Sequence, residues 1–381
     1  MRVVFVTHNY PRHADDVAGS FLHPLARALR ERGVDVRVVA PSDRGKSGVS
    51  DLDGVPVRRV RYSKPEHETL AYSGAMMSAL RTPRGMVSLR SMIGALRSGA
   101  QQEVDGSKAA VVHAHWWVPA GMAAPRRTPL VITCHGSDVR LLARGGPLCW
   151  VGRRTLARAA VVTTVSAPFA ATITECTGIP IAPDAVQPMP VLSVPRPRTT
   201  GGGGIVVIGR MTPQKRIGLA IWAYSLLRSQ GSRAACTIVG DGPLRSELVA
   251  LVTDLGLSRD VRFVGAVAPA RVPDFLATAD CCVMVAQDEG FGLVAVEALM
   301  QGVPVVACSD GGGLLDIVNS PDAGTIVAPD PVAIAGAVHA ILADRTASSA
   351  AHALGTEWKA RLAPDTVADR AMAWYAQALR G

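Results

Sequence analysis

Short apolar runs alternate with amphipathic stretches twice along this chain. In the first half, residues 2–7, 34–40, 55–62, 109–115, 130–135 and 160–166 are apolar and rich in Val and Ile, which predicts strands, with helices such as residues 21–32 between them. The second half repeats the scheme, with strands predicted at 204–209, 235–240, 261–265, 281–286, 304–308 and 324–327. Strand–helix alternation of this kind predicts an α/β protein with two parallel, doubly wound sheets. Residues 179–204 are rich in Pro and Gly, have few helix-forming runs and read as the connection between the two halves. The expected organisation is a first domain over 1–185, a linker over 186–203, a second domain over 204–365 and a terminal helix over 366–381.

Composition narrows the class. A chain of 381 residues exceeds a typical single core, and 48% hydrophobic with 19% charged residues describes a folded globular protein. No apolar run reaches membrane-spanning length and the N-terminus enters a strand directly, so the expected location is the cytoplasm. The seven cysteines sit mostly in apolar runs (Cys134, Cys236, Cys281, Cys282, Cys308) and read as reduced core thiols; there is no C-x-x-C pair to suggest zinc.

The candidate chemistry centres on Glu289-Gly290-Phe291-Gly292-Leu293-Val294-Ala295-Val296-Glu297. Residues 281–286 read as a buried strand, Gly290 and Gly292 let the backbone approach a ligand closely, and residues 293–300 are good helix formers. A strand, a ligand loop and a helix N-terminus follow one another, a combination suited to an anion such as phosphate. Glu289 can accept from sugar hydroxyls and Glu297 from both hydroxyls of a ribose. Apolar neighbours around Glu297 make a solvated face hard to build there, so that carboxylate needs partners.

Further motifs stand in order along the chain: Gly209-Arg210-Met211-Thr212-Pro213-Gln214-Lys215, Gly240-Asp241-Gly242-Pro243, Phe263-Val264-Gly265 and Gly302-Val303-Pro304-Val305-Val306. The first half adds Gly19-Ser20-Phe21 and Thr133-Cys134-His135-Gly136-Ser137-Asp138. Taken together over nearly the whole chain, these resemble the E-x7-E signature and companion motifs of retaining glycosyltransferase family 4. The resemblance implies the GT-B architecture, two Rossmann-like domains facing each other across a cleft, with the acceptor on the first domain, the nucleotide sugar on the second and the last helix crossing back to the first. It assigns Arg210 and Lys215 to the leaving diphosphate, Glu289 and His135 to the donor sugar and Glu297 to the ribose. Gly19, Gly209, Val264, Gly265, Gly290, Phe291, Gly292 and Leu293 fall to substrate and nucleotide binding, and Asp138 to the acceptor side. The expected partners are a nucleotide-sugar donor, UDP-linked before GDP-mannose, and a hydroxyl acceptor. No D-x-D motif stands at a strand end, and Arg, Lys and helix amides can replace a metal, so neither a metal nor another cofactor is expected. His113 and His115 read as structural, and Trp116 and Trp117 as stacking surface or packing. Two departures from the pattern are Gln187-Pro188-Met189-Pro190-Val191, where an Asn-Gly turn is common, and Asp316, where glutamate is common.

Competing readings are weaker. A dehydrogenase would need G-x-G-x-x-G after the first strand, but the chain there runs Thr7-His8-Asn9-Tyr10-Pro11-Arg12. A GT-B sugar-nucleotide epimerase would lack this E-x7-E arrangement. The net charge of +9 comes with only 4% aromatic residues and no nucleic-acid-binding module, so nucleic acid is not expected. A basic amphipathic helix over 81–98, with Arg81, Arg84, Arg90 and Arg97 around Met86, Val87, Leu89, Met92, Ile93 and Leu96, admits peripheral membrane contact or, as the preferred reading, a solvated arginine face. A catalytically silent membrane-binding module is the remaining alternative. Oligomeric state, hexose and acceptor stay open.

Overall fold

The computed structural model describes residues 1–72, 76, 82–105, 107, 110–198, 204–344 and 346–380. Arg81, Ala109 and the linker residues 199–203 therefore lie outside the described residues. The chain divides into two compact units, one formed by Met1–Pro190 with Ala363–Gly381 and the other by Val191–Leu362.

Unit 1 carries β1 (Arg2–Val6), β2 (Asp35–Pro41), β3 (Gly48–Leu52), β4 (Val55–Val60), β5 (Ala110–His115), β6 (Leu130–Cys134) and β7 (Val161–Thr164), paired in the order β3-β4-β2-β1-β5-β6-β7. Each of the central pairs is parallel, as expected for apolar runs covered on both faces by helices. The edge strand β3 departs from the all-parallel expectation. It pairs antiparallel with β4, Leu52 opposite Val55, through the two-residue turn Asp53-Gly54, in which both residues take positive φ (47° and 81°). That conformation is what an Asp-Gly hairpin turn requires, and β3 itself is too polar and exposed to show a buried-strand pattern.

The helix Pro364–Arg380 belongs to unit 1. Its face of Val367, Ala368, Ala371, Trp374, Tyr375 and Ala378 packs into the same core as Phe5 and the helix His23–Glu31. Arg32 at the end of that helix pairs with Asp365 and Asp369, fixing the polar rim of the contact. The helix Pro83–Asp105 buries Met92, Leu96, Gly99 and Ala100 but leaves Met86 and Val87 exposed, so its apolar residues divide between core and solvent.

Unit 2 carries β8 (Ile205–Ile208), β9 (Cys236–Val239), β10 (Val261–Gly265), β11 (Cys281–Met284), β12 (Val305–Cys308) and β13 (Gly324–Val327), all parallel, in the order β10-β9-β8-β11-β12-β13. The strand order reverses direction between β8 and β11, and ligands of open α/β sheets collect outside the strand C-termini at such a switch point. Residues 191–198 belong to this unit. Arg196 exchanges backbone bonds with the Gln301 side chain, and Arg198 donates to Ala279 O and Ser348 Oγ. On the other side, Gln187 N donates to Thr164 O at the end of β7, so residues 186–190 stay with unit 1.

Candidate functional site

The loops that leave β8 and β11 in unit 2 bring together residues that lie far apart in sequence. Lys215 Nζ lies 2.5 Å from Glu289 Oε2, both side chains being mostly buried. The lysine stem runs over Gly209, where an added Cβ would meet its Cδ at 3.6 Å. Gln214 O accepts from Gln287 N at 2.9 Å, and the Gln214 amide donates to Gln287 O, lacing the two loops into one surface. Gly209, Lys215, Met284 and Ala286 line a small concavity over the ends of β8 and β11. Arg210 is exposed and takes part in no ion pair among the described residues, which leaves its guanidinium available to an anion.

The neighbouring Arg216, which the motif comparison passes over, takes a left-handed conformation (φ 48°) and clamps both oxygens of Asp310 at 2.7 Å while donating to Val285 O. This pair ties the β8 loop to the loop after β12. Its sequence signal is an arginine one residue beyond the motif lysine, which nothing short of the fold connects to Asp310.

The loop 288–292 is held by that same β12 loop. Asp288 N donates to Asp310 O, Glu289 N to Gly311 O, and Gly313 N to Glu289 O at 2.8 Å. The approach is close enough that a Cβ on Gly313 would sit 2.2 Å from Gly290 O. Gly292 caps the helix Leu293–Met300 in a left-handed conformation (φ 94°), with Leu314 Cδ2 2.4 Å from where a Cβ would be. Phe291 is buried and packs its ring against Trp358, centroids 5.5 Å apart. Leu293, half-buried, opens the helix, and Asp316 closes the short helix Gly313–Asp316 alongside. Glu297, on the inner side of its helix, has its carboxyl pushed up to about 7 by burial, opposed only by a hydrogen bond from Ser193. At the sheet edge, Val264 and Gly265 end β10, with Gly265 at φ 87° and its carbonyl accepting from Gly240 N.

In unit 1 the ends of β1, β5 and β6 form an aromatic and imidazole cluster. His135, at the end of β6, shares a 3.0 Å hydrogen bond with His115. Its ring lies 4.5 Å from that of Trp116 and 5.3 Å from that of Phe21. His113 bridges Tyr375 Oη and Thr133 Oγ1 at 2.8 and 2.7 Å. Burial holds the His8 and His113 imidazoles down to about 4 and 3, and pushes His115 and His135 well below the ordinary histidine value, so this cluster is neutral. Asp138 is 2% exposed. Its oxygens accept from the backbone N–H groups of His135, Gly136 and Trp117, which makes it the group that sets the turn carrying His135. Trp116 and Trp117 are both buried and serve as packing. Gly19 takes φ 69°, with Asn9 O only 2.2 Å from a would-be Cβ, so the loop after β1 folds back on itself there.

Comparison with known proteins decides the family. Residues 18–190 match the model of the glycosyl transferase 4-like domain and residues 198–359 that of glycosyl transferases group 1. This chain is a GT4-type glycosyltransferase of the GT-B fold. It is similar to the glycogen synthase of Mycobacterium tuberculosis, 29% identical over 91% of this chain and 87% of that one. It is likewise similar to the D-inositol 3-phosphate glycosyltransferase of Acidothermus cellulolyticus, 29% identical over 89% of this chain and 82% of its relative. Among solved structures, Anabaena HepE in complex with UDP and glucose superposes with a TM-score of 0.71 at 17% identity, covering 99% of each chain. Sucrose-phosphate synthase from Thermosynechococcus elongatus superposes with a TM-score of 0.69 at 20% identity, covering 100% and 97%. These two show the fold. As a glycosyltransferase of this type, the protein uses a nucleotide-sugar donor. Among the described residues no helix is long and apolar enough to cross a membrane.

Proposed function

We propose that this glycosyltransferase moves a hexose from a nucleoside diphosphate sugar to a hydroxyl acceptor with retention of anomeric configuration, without a metal in the chemical step. The observation that carries the reading is the Lys215–Glu289 pair over the ends of β8 and β11, beside Gly209 and the Gly290–Gly292 turn. The bond between the anomeric carbon and the diphosphate breaks with its electron pair going to the diphosphate, while the acceptor oxygen bonds to the same carbon and releases its proton. Negative charge therefore grows on the diphosphate and positive character on the sugar ring. Arg210 and Lys215 supply the cations for the first, and the amides of the Leu293–Met300 helix N-terminus add to them. Glu289 faces the sugar hydroxyls and Glu297 the ribose. Val264 and Gly265 flank the base.

UDP-linked sugars come first as donors and GDP-mannose second. The choice finds support in the HepE complexes with UDP and UDP-glucose and in a mycobacterial relative described as a GDP-mannose-dependent mannosyltransferase. Thermal shift with UDP-, GDP- and ADP-sugars tests this: a ligand at about a hundred times its Kd adds about 2.7 kcal/mol of stability. Stabilisation by none of them removes the proposed site.

A peripheral contact with an anionic bilayer is favoured by one further observation. Unit 1 holds 26 Lys and Arg against 16 Asp and Glu, whereas unit 2 holds 14 against 15, so unit 1 carries +10 and unit 2 carries −1 of the net +9. Exposed apolar side chains accompany that charge: Met86 and Val87 beside Arg84 and Arg90, and Trp150, 61% exposed, under the guanidinium of Arg154.

A further inference from the structure

All seven cysteines are free thiols, and they fall into two groups. Cys134, Cys236, Cys281, Cys282 and Cys308 are buried within strands. Cys149 and Cys176 are partly exposed, and these two share a side-chain hydrogen bond. Cys149 lies in the first turn of the helix Pro147–Leu156 and Cys176 in the last turn of the helix Ala167–Thr177, and the two helices pack together in unit 1. Two accessible sulfurs on facing helices are the arrangement that a disulfide needs, whereas the buried thiols have neither access nor reason to react.

The surroundings suit the reaction. No Asp or Glu stands between Asp138 and Glu175 in the chain, but Arg140, Arg144, Arg153, Arg154 and Arg158 do. Positive charge of that density attracts an anionic small molecule and favours thiolate over thiol. Burial, followed by the Cys149 sulfur and the Glu175 carboxylate, pushes the Cys176 thiol up, so Cys176 keeps its proton until its partner has reacted. Cys149 has a second contact that depends on its reduced state: its Sγ–H donates to Leu142 O at 3.1 Å. Leu142 ends the short helix Ser137–Leu142 and presses on the next helix at Gly152, where a Cβ would sit 2.2 Å from Leu142 Cδ2. The connection between these helices passes through Gly145 and Gly146, both at positive φ (73° and 61°) with open space around them.

We propose that Cys149 and Cys176 are a reversible thiol–disulfide pair, oxidised by a low-molecular-weight disulfide, and that closing it draws the Cys149 sulfur away from the Leu142 carbonyl and onto the helix Ala167–Thr177. The Cys149 thiolate attacks one sulfur of the small disulfide, forming a mixed disulfide and releasing one small thiol. Cys176 then loses its proton and attacks the Cys149 sulfur, releasing the second small thiol. Two protein thiols are oxidised to one disulfide, and the small disulfide is reduced to two thiols. Oxidation ties the two longer helices together and removes a donor from the end of the helix Ser137–Leu142, whose Asp138 sets the turn that carries His135. The pair is independent of which sugar, donor or acceptor the enzyme uses.

The full-length protein is equilibrated in glutathione buffers of rising oxidised-to-reduced ratio, quenched, alkylated and analysed by mass spectrometry and peptide mapping, with hydrogen exchange followed over residues 139–146. The expected result is a monomer whose free thiols fall from seven to five, with a single link between the peptides of Cys149 and Cys176 that dithiothreitol reverses. Cys176→Ser should instead accumulate one glutathione on Cys149, the trapped intermediate. Amides 143–146 should exchange about fivefold faster in the oxidised protein, the loss of about one weak hydrogen bond. The proposal is overturned if seven thiols persist in oxidised glutathione alone, or if the link joins other cysteines or two chains. Glutathione carried on both sulfurs without closure, or exchange over 143–146 that oxidation leaves unchanged, overturns it equally.

Discussion

Lys215 Nζ and Glu289 Oε2 meet at 2.5 Å although 74 residues separate them in the chain. On the proposed function, the pairing puts the cation for the diphosphate and the carboxylate for the sugar in one hydrogen-bonded unit, so an arriving donor would have to share the ammonium with Glu289. That competition predicts opposite effects on binding from the two sides of the pair. Glu289→Gln should bind free UDP as well as or better than wild type, because Lys215 is released to the phosphates, while kcat falls. Lys215→Ala should lower kcat about 10²–10³-fold, the usual loss for a preorganised charge donor. Calorimetry with UDP and a steady-state assay on each variant check this; weaker UDP binding in Glu289→Gln would remove the shared-cation picture.

The Glu297 carboxyl, raised to about 7 by burial, makes folding stability depend on pH. Its folded pKa lies above the ordinary carboxylate value, so between about 4.5 and 7 the folded state holds more protons than the unfolded one and stability falls as pH rises. Glu297→Gln removes this slope: its Tm should exceed that of wild type at pH 8 and match it near pH 4. Affinity for UDP-glucose runs the other way, strengthening as pH rises through 7 because the ionised carboxylate is the better acceptor of ribose hydroxyls, and Glu297→Gln should lose that dependence. A wild-type Tm difference unchanged by the substitution would show that another group carries the slope.

Gly292 cannot take a side chain without moving Leu314, since a Cβ would lie 2.4 Å from Leu314 Cδ2 and the backbone holds φ at 94°. Gly292→Ala should therefore cost about 1–3 kcal/mol, from left-handed strain and the displaced leucine together. Because the same turn presents the helix N-terminus, nucleotide affinity should fall more than Tm does. Chemical denaturation alongside a UDP titration measures both, and a variant with wild-type stability would show the turn to be more plastic than its packing indicates.

The parallel strands were legible because each is a short apolar run buried on both faces, and the loop at 289–297 because its glycines and glutamates lie close in sequence. What the sequence hid depends on distance in the chain or on the lack of a periodic signal. Strand β3 is polar, lies at an edge and is exposed on most of its length, so it leaves no apolar pattern. The Arg216–Asp310 clamp and the Lys215–Glu289 pair exist because β8 lies beside β11 and β11 beside β12, an adjacency the strand list alone does not supply. Asp138 looked available to an acceptor by its place in the motif, whereas its carboxylate is occupied by three backbone N–H groups.

The concentration of positive charge in unit 1 predicts vesicle binding that depends on both charge and apolar anchors. The protein should co-sediment with phosphatidylglycerol vesicles and not with phosphatidylcholine vesicles, and added salt should weaken the interaction. Trp150→Ala combined with Arg154→Glu should reduce it severalfold, as should Met86→Ser with Val87→Ser, without loss of secondary structure by circular dichroism. Equal binding to both lipids, or none to either, would reduce these side chains to ordinary surface.

Real-time NMR of the anomeric proton of the first product tests glycosyl transfer at this site most directly. UDP-glucose and GDP-mannose are each incubated with the enzyme in excess EDTA, with water and a neutral polyol such as glucose available as acceptors. Retaining, metal-independent transfer predicts release of the nucleoside diphosphate together with an α-configured product from at least one donor, and loss of that signal in Lys215→Ala. A β-configured first product, or an absolute requirement for Mg²⁺ or Mn²⁺, or unchanged turnover in Lys215→Ala, would contradict it.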